Sequence, residues 1–182
     1  MELKKLIKKR SAREYILWCA IIAVGILLDQ ITKMLAVKYL LPIRPDSVPI
    51  FEGVLQLTYV ENTGAAFGSF KGMPWIFNTI SVIAICAMSA YLFLGHSEGR
   101  LQPIAFALII SGGIGNMIDR ILLGYVIDFI DFCLINFAVF NGADSFVCVG
   151  AGLLILTLVL ELIAEVKKER AARSGGSDGG EE

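Results

Sequence analysis

Long apolar stretches alternate with short polar segments along most of the chain. The pattern predicts four membrane-spanning helices, at residues 15–35, 74–94, 101–118 and 144–163. Residues 74–94 carry no charge, and a helix needs about twenty mainly apolar residues to cross a bilayer. Only fourteen uncharged residues separate Glu14 from Asp29 in the first stretch. That helix is therefore expected to continue past Asp29, which places this carboxylate at the edge of the bilayer.

The segment between the first two stretches, residues 41–72, has a different pattern. Three prolines at positions 42, 45 and 49 interrupt any helix. Residues 54–59 read VLQLTY, which is typical of a short strand. Residues 61–68 read ENTGAAFG, and their small side chains predict a turn or a close backbone approach. This segment is expected to lie outside the membrane.

Composition supports a membrane protein. Apolar residues make up 56% of the chain and the mean hydropathy is +0.71, whereas soluble domains are about 45–50% apolar. A basic N-terminus before an apolar run is also typical of a cleaved signal peptide. No small-residue cleavage site follows this run, however, and the bulky Trp18 before Cys19 does not fit a lipoprotein signal. The first apolar helix is therefore expected to be retained.

Basic residues are unevenly distributed. Eleven of the sixteen Lys and Arg residues lie in the N-terminal tail, the 96–100 turn and the C-terminal tail. The positive-inside rule then predicts that both termini are cytoplasmic. The expected organisation is a basic cytoplasmic tail at 1–14, one four-helix membrane domain at 15–165, and a cytoplasmic, disordered tail at 166–182 with an acidic, Gly-rich end.

Metal-binding residues are not clustered. The four cysteines are scattered and His96 is the single histidine, whereas a zinc site needs grouped Cys or His ligands. The cysteines are therefore interpreted as small apolar residues. The sequence predicts neither a metal nor another cofactor.

Acidic residues concentrate between the last two apolar stretches, in residues 111–145. Four of the chain's seventeen lie there, at Asp119, Asp128, Asp131 and Asp144. Carboxylates at a membrane boundary are costly and indicate a functional site. Two carboxyl groups within hydrogen-bond reach share a proton, so one can activate water while the other protonates a leaving amine. This chemistry is that of an aspartic peptidase.

Spacing alone leaves the catalytic pair open. In a helix, residues three apart share a face, so Asp131 competes with Asp128 as the partner of Asp144. The same carboxylates are also suited to capping helices or to pairing with Lys33, Lys71 or Arg120.

Five short motifs follow one another along the chain. They are DQITK at 29–33, ENTGAAFG at 61–68, GNMIDR at 115–120, VIDF at 126–129 and FNGADS at 140–145. Their order and spacing resemble those of the lipoprotein signal peptidases (signal peptidase II), over residues 15–165. The resemblance implies a bacterial inner-membrane aspartic protease that removes signal peptides from prolipoproteins, cutting just before a cysteine that carries diacylglycerol.

The resemblance also assigns residues. It implies that Asp128 and Asp144 are catalytic. It implies that further residues bind substrate or support the site: Asp29, Lys33, Asn62, Gly64, Asn116, Asp119, Arg120, Asn141 and Ala143. Among these, the positions of Asn116, Arg120 and Asn141 are those that contact the substrate backbone or the antibiotic globomycin in the family. Gly142 departs from the family pattern, where a larger apolar residue is commoner.

The implied fold is an all-α membrane protein of four transmembrane helices. A small extracytoplasmic β-cradle is expected around residues 54–59, and a short periplasmic helix within residues 129–137 is expected to close over the site. The implied partners are prolipoproteins with a diacylglyceryl cysteine, membrane lipids and globomycin-type inhibitors, without nucleic acid. The protein is expected to be a monomer.

Other function classes fit the pattern less well. A small transporter would carry charges near mid-bilayer and show repeated halves, neither of which the sequence has. A scaffold or membrane chaperone would use the same charges in structural ion pairs. A serine/lysine peptidase would need Ser69 and Lys71, but nothing nearby desolvates that lysine. A presenilin-like protease would need a GxGD motif, which does not occur.

Overall fold

The computed structural model describes residues 10–64, 74–95, 97, 99–135 and 137–175, with the side chains of all but 74–77 and 171–175. The protein is mostly helical and carries one small sheet. In chain order its elements are α1 Ala12–Tyr39, β1 Val48–Phe51, β2 Leu55–Asn62, α2 Pro74–Phe93, α3 Leu101–Leu122, β3 Val126–Asp131 and α4 Gly142–Gly175. Two short 3-10 turns, Leu41–Ile43 and Cys133–Ile135, follow α1 and β3.

Three helical stretches are long and apolar enough to cross a membrane. They are Ala12–Ile43, Leu101–Leu122 and Gly142–Arg170. In α2, the part with described side chains, Asn78–Phe93, is apolar but shorter. The helix α1 begins at a capping box, in which the Ser11 hydroxyl accepts from the Glu14 amide and the Glu14 carboxylate accepts from the Ser11 amide.

The helix α4 is longer than the sequence predicts. It continues to Gly175, so the expectation of disorder is wrong for residues 166–175. Ala, Lys, Glu and Arg dominate this stretch, and all four are good helix formers, so the helix continues beyond the apolar run. Residues 176–182 lie outside the described residues.

The sheet is antiparallel, in the order β1-β2-β3. The strand expected at 54–59 is confirmed as β2, which extends to Asn62. The short helix expected within 129–137 is wrong for Phe129–Asp131, because these residues end β3. Of the described residues in this range, only Cys133–Ile135 forms a helical turn. The segment VIDFID pairs with β2, and Asp128 lies opposite Val60.

The sheet packs against the end of the helices where α1 and α3 finish and α4 begins. Ala36 and Leu40 of α1 form an apolar cluster with Tyr59, Ile127 and Phe129 of the sheet. A second cluster towards the other end joins α1, α2 and α3 through Trp18, Leu92, Ala107 and Ile110. The sheet is therefore fixed to one end of the helices.

Helices α3 and α4 approach closely at small residues. A Cβ atom added at Gly112 of α3 would meet the carbonyl oxygen of Ala143 in α4. One added at Gly150 of α4 would lie 2.7 Å from the Ala105 carbonyl oxygen. Both contacts are with backbone, which cannot move aside as a side chain can. Glycine at these positions lets the backbones approach.

We expect Gly150→Ala to destabilise the protein, because overpacking a close contact costs about 1–3 kcal/mol. Gly152→Ala is the matched control on the same helix, since a Cβ there meets no atom within 4 Å. The control is expected to be neutral or slightly stabilising through helix propensity. Thermal unfolding of both variants in detergent measures the difference. Equal midpoints for the two variants would contradict the close packing.

Candidate active site

Polar side chains from four elements meet where the sheet adjoins the helices. Asp128 comes from β3, Asp144 from the first turn of α4, Asn116 and Arg120 from α3, and Asn62 from β2. All five line one cavity of about 770 Å³. Gly64 and Ser145 also line it, together with apolar side chains of α4 and of residues 137–140.

Asp128 is buried, with 1% of its surface exposed. The Asn62 amide donates to its Oδ2 atom at 2.9 Å, and the Asn141 amide donates to its Oδ1 atom at 2.6 Å. The Gly64 N–H in turn donates to the Asn62 Oδ1 atom at 3.0 Å, which orients the Asn62 amide. Burial raises the pKa of Asp128 from 3.8 to about 6; the nearby Asp144 also raises it, while the hydrogen bonds from Asn62 and Asn141 lower it.

Asp144 is held at the start of α4. Its Oδ1 atom accepts from the Asn116 amide at 2.7 Å, and its Oδ2 atom accepts from the Asn141 backbone N–H at 3.2 Å. The Asn141 side-chain oxygen accepts from the Asp144 N–H at 3.0 Å, as a helix N-cap does. Asn141 therefore contacts both aspartates: its backbone and Oδ1 atom bond Asp144, and its amide nitrogen bonds Asp128.

Beneath the cavity lies a buried ion cluster made of Asp29, Lys33 and Asp119. The Lys33 Nζ atom is 2.8 Å from Asp29 Oδ2 and 2.9 Å from Asp119 Oδ2. All three residues are at most 3% exposed. Asp29 and Lys33 are four residues apart and so share the face of α1 that is turned towards α3.

The ion cluster fixes the backbone beside each catalytic candidate. The Asp29 Oδ1 atom accepts from the Ala143 N–H at 2.8 Å, next to Asp144. The Asp119 Oδ2 atom accepts from the Ile127 N–H at 3.1 Å, next to Asp128. The cluster therefore couples α1 and α3 to the start of α4 and to β3.

Gln30 belongs to this cluster, although the sequence did not single it out. Its amide nitrogen lies within hydrogen-bond distance of Asp29, Asp119 and the Gly115 carbonyl, at 3.1–3.2 Å. Its place inside the DQITK motif was the available signal. A Cβ at Gly115 would lie 2.5 Å from the Asp29 carboxylate, so glycine leaves room for that group.

Asp131 lies apart from the cavity. Its Oδ2 atom accepts from Gln56 at 2.7 Å and from Thr58 at 3.1 Å, both on β2. Residues three apart point to opposite faces of a strand, although they share a face in a helix. Asp128 and Asp131 both belong to β3. Their side chains therefore point to opposite faces of the strand, whereas in a helix they would share a face and would remain equivalent candidates.

Arg120 differs from the other polar residues of the cavity. Its half-buried side chain makes no hydrogen bond or ion pair with the described part of the chain. Of the carboxylates around it, Asp144 and Asp128 have the largest electrostatic effects on its guanidinium group. It is thus a cation open to the cavity. Ser69 and Lys71, the pair that the disfavoured serine/lysine alternative would need, lie outside the described residues.

The arrangement suits acid–base chemistry on a polar bond. The two aspartates share one partner, Asn141, and line one partly apolar cavity. In such a pair, one carboxyl group can keep a proton while the other accepts a proton from water. Among the described residues, no direct hydrogen bond joins the two carboxyl groups, and both line the same cavity.

Curated relatives are similar in sequence to this chain over most of its length. The lipoprotein signal peptidase of Microcystis aeruginosa is 43% identical over 141 residues, which cover 77% of this chain and 90% of the relative. That of Caldanaerobacter subterraneus is 47% identical over 131 residues, covering 72% and 88%. A solved structure described as a bacterial membrane enzyme, at 2.3 Å resolution, superposes with a TM-score of 0.71 at 29% identity over 80% of this chain and 88% of that one.

The family model for signal peptidase (SPase) II matches residues 21–160, a range that contains the ion cluster, both aspartates and every strand of the sheet. The chain therefore belongs to the signal peptidase II family.

Proposed function

We propose that Asp128 and Asp144 form the catalytic dyad with which this protease removes signal peptides from prolipoproteins. Membership of the signal peptidase II family makes the chain a protease and implies prolipoprotein substrates. The observation that carries the dyad is that these two carboxyl groups line one cavity and are joined through Asn141.

In the proposed mechanism, Asp128 holds the shared proton in the resting enzyme. Burial raises its pKa, which makes the neutral form easier to reach than in a free aspartate. In the proposed step this neutral form donates a hydrogen bond to the scissile carbonyl and later protonates the leaving amine. Asp144 takes a proton from the attacking water, and both of its oxygens are already oriented by N–H donors.

The cavity wall fits a peptide whose cleavage point lies next to lipid. Polar groups of Asn62, Asn116 and Arg120 occupy one side, while Val147 and Val149 of α4 supply apolar surface. The guanidinium of Arg120 is free to hydrogen-bond a peptide carbonyl or an inhibitor such as globomycin. The cysteine with its diacylglyceryl group then follows the cleaved bond, and its acyl chains extend along the apolar wall.

The membrane arrangement completes the proposal. Helices α1–α4 each cross the bacterial inner membrane. Residues 15–165 form one membrane domain, and the protein is a monomer. Both termini lie in the cytoplasm. The eleven basic residues in the tails and the 96–100 turn support this orientation. The sheet and the dyad then lie at the outer face, where water reaches the carboxyl groups and membrane lipids surround the helices.

Replacing either member of the dyad should abolish turnover. We expect Asp128→Asn and Asp144→Asn each to lower kcat by at least about 10³-fold, because neither aspartate can do its part of the reaction without the other. The losses from removing members of one catalytic unit do not add, so the double variant should be little worse than either single one. Cleavage of a diacylglyceryl-modified prolipoprotein by purified protein in detergent measures this.

Asp131→Asn is the matched control, on the same strand and with the same change of charge. Asp131 bonds Gln56 and Thr58 outside the cavity, so substantial activity is expected to remain. An inactive Asp131→Asn together with a normally active Asp128→Asn would refute the dyad.

The pH dependence of kcat/KM should identify Asp128 as the acid. Activity falls as pH rises through the pKa of Asp128, about 6 in the free enzyme, because the proton is then lost. The Asn62 hydrogen bond lowers this pKa, so Asn62→Ala raises it and moves the falling limb to higher pH. Gln56→Ala, which removes the equivalent amide from Asp131, should leave the profile in place. A limb unmoved or shifted to lower pH in Asn62→Ala would contradict the assignment.

The lipid on the substrate should be required. Two acyl chains anchor the cysteine in the bilayer and so hold the adjacent peptide bond at the dyad, which is a positional contribution to rate. The unmodified precursor is therefore expected to be cleaved poorly or not at all under conditions in which the modified one is processed. Equal rates for the two substrates would point to a general signal peptidase instead.

A further inference from the structure

The side-chain amide of Asn116 lies between two different kinds of neighbour. Its oxygen accepts from the Lys33 Nζ atom at 2.9 Å and from the Asn141 amide at 3.0 Å. Its nitrogen donates to the Asp144 carboxylate at 2.7 Å. An amide presents an acceptor on one side and a donor on the other, so this geometry works in one of its two orientations only.

Lys33 imposes that orientation more strictly than a neutral residue would. An ammonium group has three donors and no acceptor, and here its three partners are Asp29, Asp119 and Asn116. With Lys33 1% exposed, bulk water does not reach it to replace a missing acceptor. The Asn116 oxygen must therefore face Lys33, and the nitrogen must face Asp144.

We propose that Lys33 is a positioning residue for hydrolysis, which acts through Asn116 by fixing the direction in which that amide faces Asp144. This inference rests on the proposed function, because it takes Asp144 as a member of the dyad. Lys33 touches neither aspartate of the dyad in any hydrogen bond or ion pair among the described residues. Its orienting effect on Asp144 is transmitted by one neutral amide, that of Asn116.

The reverse orientation of the amide would disturb the dyad directly. It would place the Asn116 oxygen against the Asp144 carboxylate, where two acceptors repel, and would remove the shortest hydrogen bond that Asp144 accepts. Asn141 also favours the observed orientation, so losing Lys33 weakens the constraint without abolishing it.

A matched pair of double variants separates orientation from buried charge. Lys33→Met with Asp119→Asn removes one cation and one anion together, so the cluster keeps its formal charge but loses the donor to Asn116. Lys33→Gln with Asp119→Asn keeps the same charge and restores a neutral donor, whose nitrogen is one bond shorter on its stem than that of lysine.

We expect the Met double variant to have a kcat about 10²-fold below wild type with KM little changed, as a misplaced catalytic group causes. The Gln double variant should recover at least about tenfold of that loss. Rates are normalised to folded, membrane-inserted protein. Equal kcat values for the two double variants would overturn the positioning role.

A double-mutant cycle tests whether Lys33 acts through Asn116. On an Asn116→Ala background, introducing the Met double variant should lower kcat by no more than about twofold, because the amide to be oriented is absent. A further loss as large as in the wild-type background would overturn the proposal.

One further variant keeps all three charges of the ion cluster, and it tests the proposal if the double variants fail to insert. Asn116→Leu has a side chain of similar shape but cannot donate to Asp144. Its kcat, normalised to membrane-inserted protein, should fall about 10²-fold; a wild-type kcat would overturn the proposal. Failure of the dyad itself is distinguishable, since Asp128→Asn would then remain active.

Discussion

The structure depends on the ion cluster of Asp29, Lys33 and Asp119. Charges removed from water are costly, and removing one partner of such a group costs about 3–5 kcal/mol because the others remain buried and unpaired. Here the two carboxylates also accept backbone N–H groups at Ala143 and Ile127. The same electrostatic contact therefore joins α1 to α3 and fixes the residues next to both members of the proposed dyad.

The proposed dyad is placed on rigid elements, and each element contributes something different. The strand β3 buries Asp128 against β2, and this burial raises its pKa. At the start of α4, the Asp144 carboxylate accepts from the Asn141 N–H, one of the backbone donors that a helix N-terminus leaves unpaired. Two chemically identical side chains thereby acquire different surroundings, as acid and base roles on one substrate require.

Local patterns predicted the helices and β2, because an apolar run or a group of β-forming residues can be recognised within a short stretch of sequence. The motif resemblance indicated the site residues that the fold brings together. β3 was missed because its identity depends on pairing with β2, more than sixty residues earlier in sequence, and no local pattern reports such a partner. That error also left Asp131 equivalent to Asp128, since the geometry of a strand, and not of a helix, separates them. Gln30 was missed because its three acceptors lie on two helices.

Asn116 explains how a charged cluster can lie beside a dyad that must exchange protons. A lysine in direct contact with Asp144 would hold that carboxylate in an ion pair and oppose its protonation during the reaction. Instead, the neutral amide of Asn116 lies between Lys33 and Asp144. Its hydrogen bonds fix the orientation of the donor to Asp144 and keep the cation away from that carboxylate. The cation thus pairs directly with Asp29 and Asp119, while Asp144 receives its orienting effect through Asn116.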